Sequence, residues 1–343
     1  MNKMGLTRRS VLKRAVAGSL AAAVGELARP SAAQEDDPIV HKGITREYWI
    51  QADSMERNIV SSSQDDVGGR VWLPEDTTYW AIGYRAYTPY WRSSLPGGSE
   101  IGENTGIPGP VIRGRVGDDV IIHFRNNDTH YGFPHSIHAH GVLYTPENDG
   151  AWLSCNGPAP GTAVATGKTY TYRYKVLPSS VGTWVYHDHS IPQTLGGDAP
   201  VMDIGSELGL FGLIAIEDPA APPVDQEFIL YFHQLHATNI PMLAQDFACF
   251  NGRAFSPNTP TFRARVGDRV RWRIGALGQE FYVFHLHGHR WLSNGEPVDT
   301  TILGPATTAT IEYTEDNPGA WFYHCTIPDH IAAGMVGQYI VST

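Results

Sequence analysis

Near the C-terminus, Cys325, His330 and Met335 follow one another at intervals of five in the stretch Trp321-Phe322-Tyr323-His324-Cys325-Thr326-Ile327-Pro328-Asp329-His330-Ile331-Ala332-Ala333-Gly334-Met335. A thiolate closing an aromatic-rich strand, followed on one loop by an imidazole and a thioether, is a soft donor set. It selects copper, and a weak axial Met tunes the potential of a mononuclear site. A buried Cys or Met standing alone is ordinary core; the unit Cys-x4-His-x4-Met reads as a copper site.

Histidines recur elsewhere in pairs: His138 with His140, His187 with His189, and His285 with His287, while His324 adjoins the Cys. Side chains two apart on a strand share a face, so each pair can address one metal cluster. Single surface histidines need no explanation. Paired histidines at repeat-related places do.

Strands must hold these residues. Alternation of β-branched or aromatic with polar residues is visible in Asp119–Phe124, Thr169–Tyr174 and Arg269–Ile274, with Gly- and Pro-rich turns between and no long amphipathic helix. That pattern argues for β-sandwiches. The halves are also alike. Arg115-Val116-Gly117-Asp118 recurs as Arg265-Val266-Gly267-Asp268, each copy is followed by His-x-His-Gly (138–141 and 285–288), and Gly182-Thr183-Trp184-Val185-Tyr186-His187 recurs as Gly319-Ala320-Trp321-Phe322-Tyr323-His324. Matched segments in the same order are an internal repeat. A Pro-rich linker over 219–224 divides it into a first domain, 45–218, and a second, 225–343. In the repeat Asp188 stands where Cys325 stands, so only the second domain has the mononuclear set.

Over residues 45–343 the chain resembles the multicopper oxidases, and in size their two-domain, small-laccase-like branch. The resemblance rests on His138-Ala139-His140-Gly141, Trp184 to His189, His285 to Trp291, and His324-Cys325 through Met335. It implies an all-β fold of two cupredoxin-like Greek-key sandwiches. It also implies a type 1 copper that takes single electrons from a donor and a trinuclear cluster that reduces dioxygen to water. Carried over by position, His138 and His285 match type 2 ligands, His140, His187, His189, His287 and His324 match type 3 ligands, and Cys325, His330 and Met335 match the type 1 set. Tyr144 and Asp149 match the tyrosine and acid that serve oxygen reduction as hydrogen-bond partner and proton donor, although Asp149 also suits a simple Asn-Asp-Gly turn. In this branch the cluster is completed between subunits, which implies a homotrimer closed by head-to-tail contacts.

Two positions depart from the pattern. The family's His-Cys-His is His324-Cys325-Thr326, and the histidine expected three residues before His285 is Tyr282. Neither a hydroxyl nor a phenol titrating near 10 replaces imidazole unaided. His135 occupies the place of Tyr282 in the first domain, without a Cys partner.

The 343 residues suit two domains of ordinary size. Thr7-Arg8-Arg9-Ser10-Val11-Leu12-Lys13, the apolar run 15–23 and Ser31-Ala32-Ala33 read as a twin-arginine signal over 1–33, predicting export to the periplasm or medium. Without that segment, which carries six basic residues and one acid, the formal charge of −10 becomes about −15. So acidic a chain, with no basic tract, argues against nucleic acid or an anionic membrane as partner. Cys155 and Cys249 remain for one disulfide, whose pairing the spacing does not fix.

The expected function is therefore that of a laccase-like oxidoreductase, taking electrons from diphenols or similar small reducing substrates and passing them to dioxygen. Two alternatives stay open because of Tyr282 and Thr326: a copper oxygenase or nitrite-reductase-like enzyme, and a copper-binding protein without turnover.

Overall fold

The computed structural model describes residues 43–154, 159–195, 200–202 and 204–343. The twin-arginine stretch and Cys155 lie outside them. In the first half, the strands Thr78–Tyr87, Thr45–Asn58, Asp119–Asn127 and Thr169–Lys175 form one sheet in that order. A second sheet runs Ile112–Arg115, Phe211–Glu217, Gly182–His187, His138–Ala139. Alternation fills the space between them: Val120, Ile122 and Phe124 point inward against Tyr172 and Tyr174, all buried.

The second half repeats this plan. Phe247–Phe250, Gln226–Leu235, Arg269–Ala276 and Thr308–Thr314 make one sheet. Thr261–Arg265, Val336–Ser342, Gly319–Cys325, Tyr282–Leu286 and Thr300–Leu303 make the other. The sense of each pairing repeats too, parallel between Thr45–Asn58 and Asp119–Asn127 and again between Gln226–Leu235 and Arg269–Ala276. The molecule is thus all-β and cupredoxin-like. One strand ends at Glu217 and the next begins at Gln226, with the Pro-rich segment between.

The repeated motifs have local reasons. Gly117 and Gly267 both adopt φ +93°, the left-handed turn that glycine allows. The next residue in each copy, Asp118 or Asp268, closes the turn by accepting the N–H of Arg115 or Arg265 at 2.9 Å. The glycine of each His-x-His-Gly makes room for a tryptophan: a Cβ on Gly141 would sit 2.0 Å from Trp184, and one on Gly288 2.9 Å from Trp321. Each indole N–H then donates to a carbonyl, Ser180 for Trp184 and Asn317 for Trp321. This packing fixes the histidine strand against its neighbour.

Charge and apolar contact join the sandwiches. Arg273, 2% exposed, bridges Glu227 at 2.6 Å and Glu217 at 2.7 Å, and also donates to Thr183 of the first sandwich at 3.0 Å. Tyr231, Leu235, Phe247 and Phe255 belong to the first sandwich's core cluster, so the apolar interior is continuous across the seam. Cys249 is a free thiol in that cluster; Cys155, the other candidate for the disulfide that the sequence left open, lies outside the described residues.

Candidate metal centre

Strand register sets the histidines face to face. His138 pairs with His187 across one sheet, and His285 pairs with His324 across its counterpart. The ligand nitrogens of His138, His140 and His187 lie within 4.8 Å of one another, as do those of His285, His287 and His324. His189 stands beside the first triplet, its ring 5.5 Å from that of His138.

One nitrogen of several rings is already committed. Nδ1 of His138 meets the carbonyl of Asp149 at 2.7 Å, that of His187 the carbonyl of Asp188 at 2.9 Å, that of His285 the carbonyl of Asp299 at 2.8 Å, and that of His324 the carbonyl of Cys325 at 2.8 Å. Such bonds fix the ring and leave Nε2 for a metal. Burial, then neighbouring imidazoles, push His140 down to about 4, and burial and His138 push His187 down to about 3. His138, His287 and His324 are lowered chiefly by burial as well. Neutral imidazoles converging at these distances fit copper.

Tyr144 and Asp149 come together at the edge of the first group. The Asp149 carboxylate is 3.3 Å from Nδ1 of His138, and the Tyr144 ring lies 6.3 Å from that of His138. Burial first, and then Asp149, raise the Tyr144 phenol to about 12, so it keeps its proton at neutral pH.

Cys325 closes its strand with the sulfur 3.3 Å from Nδ1 of His330, and Met335 is fully buried, its carbonyl accepting the Cys325 N–H at 3.2 Å. The Cys325 thiol and the His330 imidazole of the mononuclear set are thus side by side, with Met335 buried in the same core. Tyr282, where the family has the fourth donor, donates its hydroxyl to the carbonyl of Leu277 at 3.0 Å and has its ring 5.4 Å from that of His330. Thr326, at the place of the missing sixth type 3 histidine, has its hydroxyl 3.4 Å from the carbonyl of Val283.

Two features here had no signal in the sequence, and a third adds Asp128 to a place the repeat had marked. Glu280 receives a hydrogen bond from His330 Nε2 at 2.8 Å, and Gln234 approaches the same nitrogen at 3.3 Å. A cavity beside them is lined by Met202, Glu207, His233, Gln234, His236 and Leu277. At the first sandwich's counterpart of the mononuclear place, His135 is held between Asp188 and Asp128.

Family models described as multicopper oxidase match residues 92–220 and 232–343, one on each sandwich. Among curated proteins, the chain is 32% identical over 254 residues to a probable nitrite reductase-hydroxylamine oxidoreductase fusion protein of Kuenenia stuttgartiensis, covering 68% of this chain and 27% of that one. It is 31% identical over 281 residues to the human ferroxidase HEPHL1, covering 69% and 23%. The chain therefore spans about a quarter of the length of these relatives. Among solved structures, a multicopper oxidase superposes with a TM-score of 0.63 at 22% identity, over 87% of this chain and 89% of that one. The blue copper oxidase of Nitrosomonas europaea gives 0.61 at 22%, over 87% and 86%. These last two likenesses are of fold. With both sandwiches matched separately and paired histidines facing one another in each, the chain belongs to the multicopper oxidase family, whose cofactor is copper.

Proposed function

We propose that the protein is a copper oxidase that takes single electrons from small donors, phenols among them, and reduces dioxygen to water. The observation that carries this is the pair of imidazole groups, His138, His140 and His187 on one sandwich and His285, His287 and His324 on the other. Among the described residues their ring contacts run within each group and not between them. Each is half of a cluster, and a neighbouring copy offering the opposite half completes it, hence a head-to-tail ring, a homotrimer in this reading.

In it His138 and His285 hold the type 2 copper, and His140, His187, His189, His287 and His324 the type 3 pair. Bound there, copper supplies the redox capacity that amino acids lack. The protein's part is positional and protonic. Four electrons and four protons turn one dioxygen into two waters, and Asp149, beside His138 and Tyr144, stands where protons are needed. Donors enter at the other end, in the cavity between Met202, Leu277 and the His236–Glu207 pair, next to His330 with Glu280 on its outward nitrogen. Apolar walls with a few hydrogen-bonding groups suit a small aromatic donor. Export by the twin-arginine route belongs to the same reading.

The test is oxygen uptake by the copper-loaded protein with a phenol, an aromatic amine and ferrous ion as donors. Consumption of one dioxygen per four donor electrons supports the proposal; full copper loading with no uptake from any donor overturns it.

Tyr282, standing where the family has an imidazole and bonded to the Leu277 carbonyl, favours a second reading in which substrate meets the histidine cluster without a mononuclear relay. Uptake of labelled oxygen into an organic product, or reduction of nitrite, distinguishes it.

A further inference from the structure

At the seam between the sandwiches lies a cleft of about 370 Å³ that uses none of the clustered histidines. Arg57, at the end of the strand Thr45–Asn58, and Arg253, in the turn after Phe247–Phe250, both line it. Arg57 is only 8% exposed. Elsewhere in the protein buried guanidiniums are paired: Arg271 and Arg273 each meet Glu217 and Glu227. Here they are not. Among the described residues neither Arg57 nor Arg253 has a carboxylate partner. Arg57 donates to the carbonyls of Gly252 and Asn251, both at 3.3 Å, and Arg253 uses only Nη1, toward the carbonyl of Asn58 at 3.0 Å and the Ser61 hydroxyl at 3.1 Å.

A buried charge without a counter-charge is costly, and a guanidinium has five donors to satisfy. Burial, and then repulsion from Arg253, bring Arg57 down to about 10. The lining acid is Glu103, exposed at the rim and in no ion pair with either arginine. Two under-used guanidinium forks approaching one cleft from different segments, in a chain of formal charge −10, form a local positive site.

We infer that this cleft binds a small oxyanion of the phosphate class, held between Arg57 and Arg253 with Ser61, Ser62 and Asn258 at its edge. An ion there neutralises both forks and ties the end of a first-sandwich strand to a second-sandwich turn. Occupancy then stabilises the full chain by mass action.

Inorganic phosphate is titrated into the full-length protein by calorimetry at ionic strength held constant with chloride, and melting is followed in parallel. One saturable site per chain and a rise in melting temperature are expected. Arg253→Gln weakens binding by about tenfold or more, with Arg253→Lys intermediate. Glu103→Gln, an exposed change that leaves folding untouched, tightens it. Absence of saturable binding, or equal affinity in Arg253→Gln and the parent, overturns the inference. Should Arg253→Gln fail to fold, a Glu103→Gln protein that binds phosphate no more tightly than the parent overturns it equally.

Discussion

His135 and Asp188 lie 2.8 Å apart at the point of the first sandwich that Tyr282 and Cys325 occupy in the second. The rest of the site corresponds as well. The Asp188 N–H donates to the Leu210 carbonyl as that of Cys325 does to Met335, and the Leu210 N–H donates to Gly205 as that of Met335 does to His330. Gly205 and Leu210 therefore stand in for His330 and Met335. A Cβ on Gly205 would lie 1.9 Å from an Asp188 oxygen. The first sandwich has thus filled its copper place with a buried carboxylate–imidazole–carboxylate array. Asp188 also accepts from the Ser136 N–H at 2.8 Å, and the Ser136 hydroxyl accepts the His189 N–H at 3.0 Å, so the array anchors the cluster strand.

That array makes stability depend on pH. Burial works against charge on His135, but Asp188 and Asp128 carry it up to about 9. A group raised in the folded state contributes fully below its unfolded value near 6.5 and loses that contribution as pH rises through about 9. Melting temperature is expected to fall across this alkaline window by several degrees, for a loss on the order of 1–3 kcal/mol. In His135→Gln the slope between those pH values flattens. Asp128 is opposed by burial but held well below the usual carboxylate range by His135 and Ser54, so its contribution is lost instead as pH falls below about 4.

Tyr282→His supplies the fourth donor of the mononuclear set. Since losing even an outer-shell partner of a ligand costs about 10–100-fold in metal affinity, gaining a ligand should tighten copper at Cys325 by at least that range. Competition with a copper chelator measures the affinity, and the visible thiolate-to-copper band should intensify in step.

Asp149→Ala removes the carboxylate beside His138 and Tyr144, while the backbone carbonyl that His138 also meets remains. Oxygen uptake is expected to fall about 10–100-fold, with copper content nearly kept. Copper lost in proportion to activity would mean that Asp149 only holds the imidazole.

Arg273→Met removes one of three guanidiniums that meet Glu217 and Glu227 at the seam, the others being Arg113 and Arg271. Destabilisation on the order of 1–2 kcal/mol is expected from chemical denaturation: the bond to Thr183 across the seam is lost, while Arg113 and Arg271 still meet both carboxylates.

Much of this was legible in the primary structure because strands translate spacing into geometry. His-x-His reports a shared face whatever the surrounding fold, and the repeat placed Asp188 opposite Cys325 and His135 opposite Tyr282. The counterparts of His330 and Met335 could not be read. Ten residues separate Cys325 from Met335, but twenty-two separate Asp188 from Leu210, and that insertion hides the alignment. Glu280 and Gln234 reach His330 by tertiary packing alone, which no local spacing reports. Asp149 was ambiguous between a turn and a site; it caps a short helical turn and flanks His138 at once.

Whether both imidazole groups serve one cluster is decided by copper content per chain in three proteins: the parent, His138→Ala with His140→Ala, and His285→Ala with His287→Ala. A shared cluster predicts that either double substitution empties the histidine-bound copper of both sandwiches and abolishes the spin-coupled signal. If each variant loses only its own portion and leaves the other sandwich fully loaded, the two groups are independent sites and the account fails.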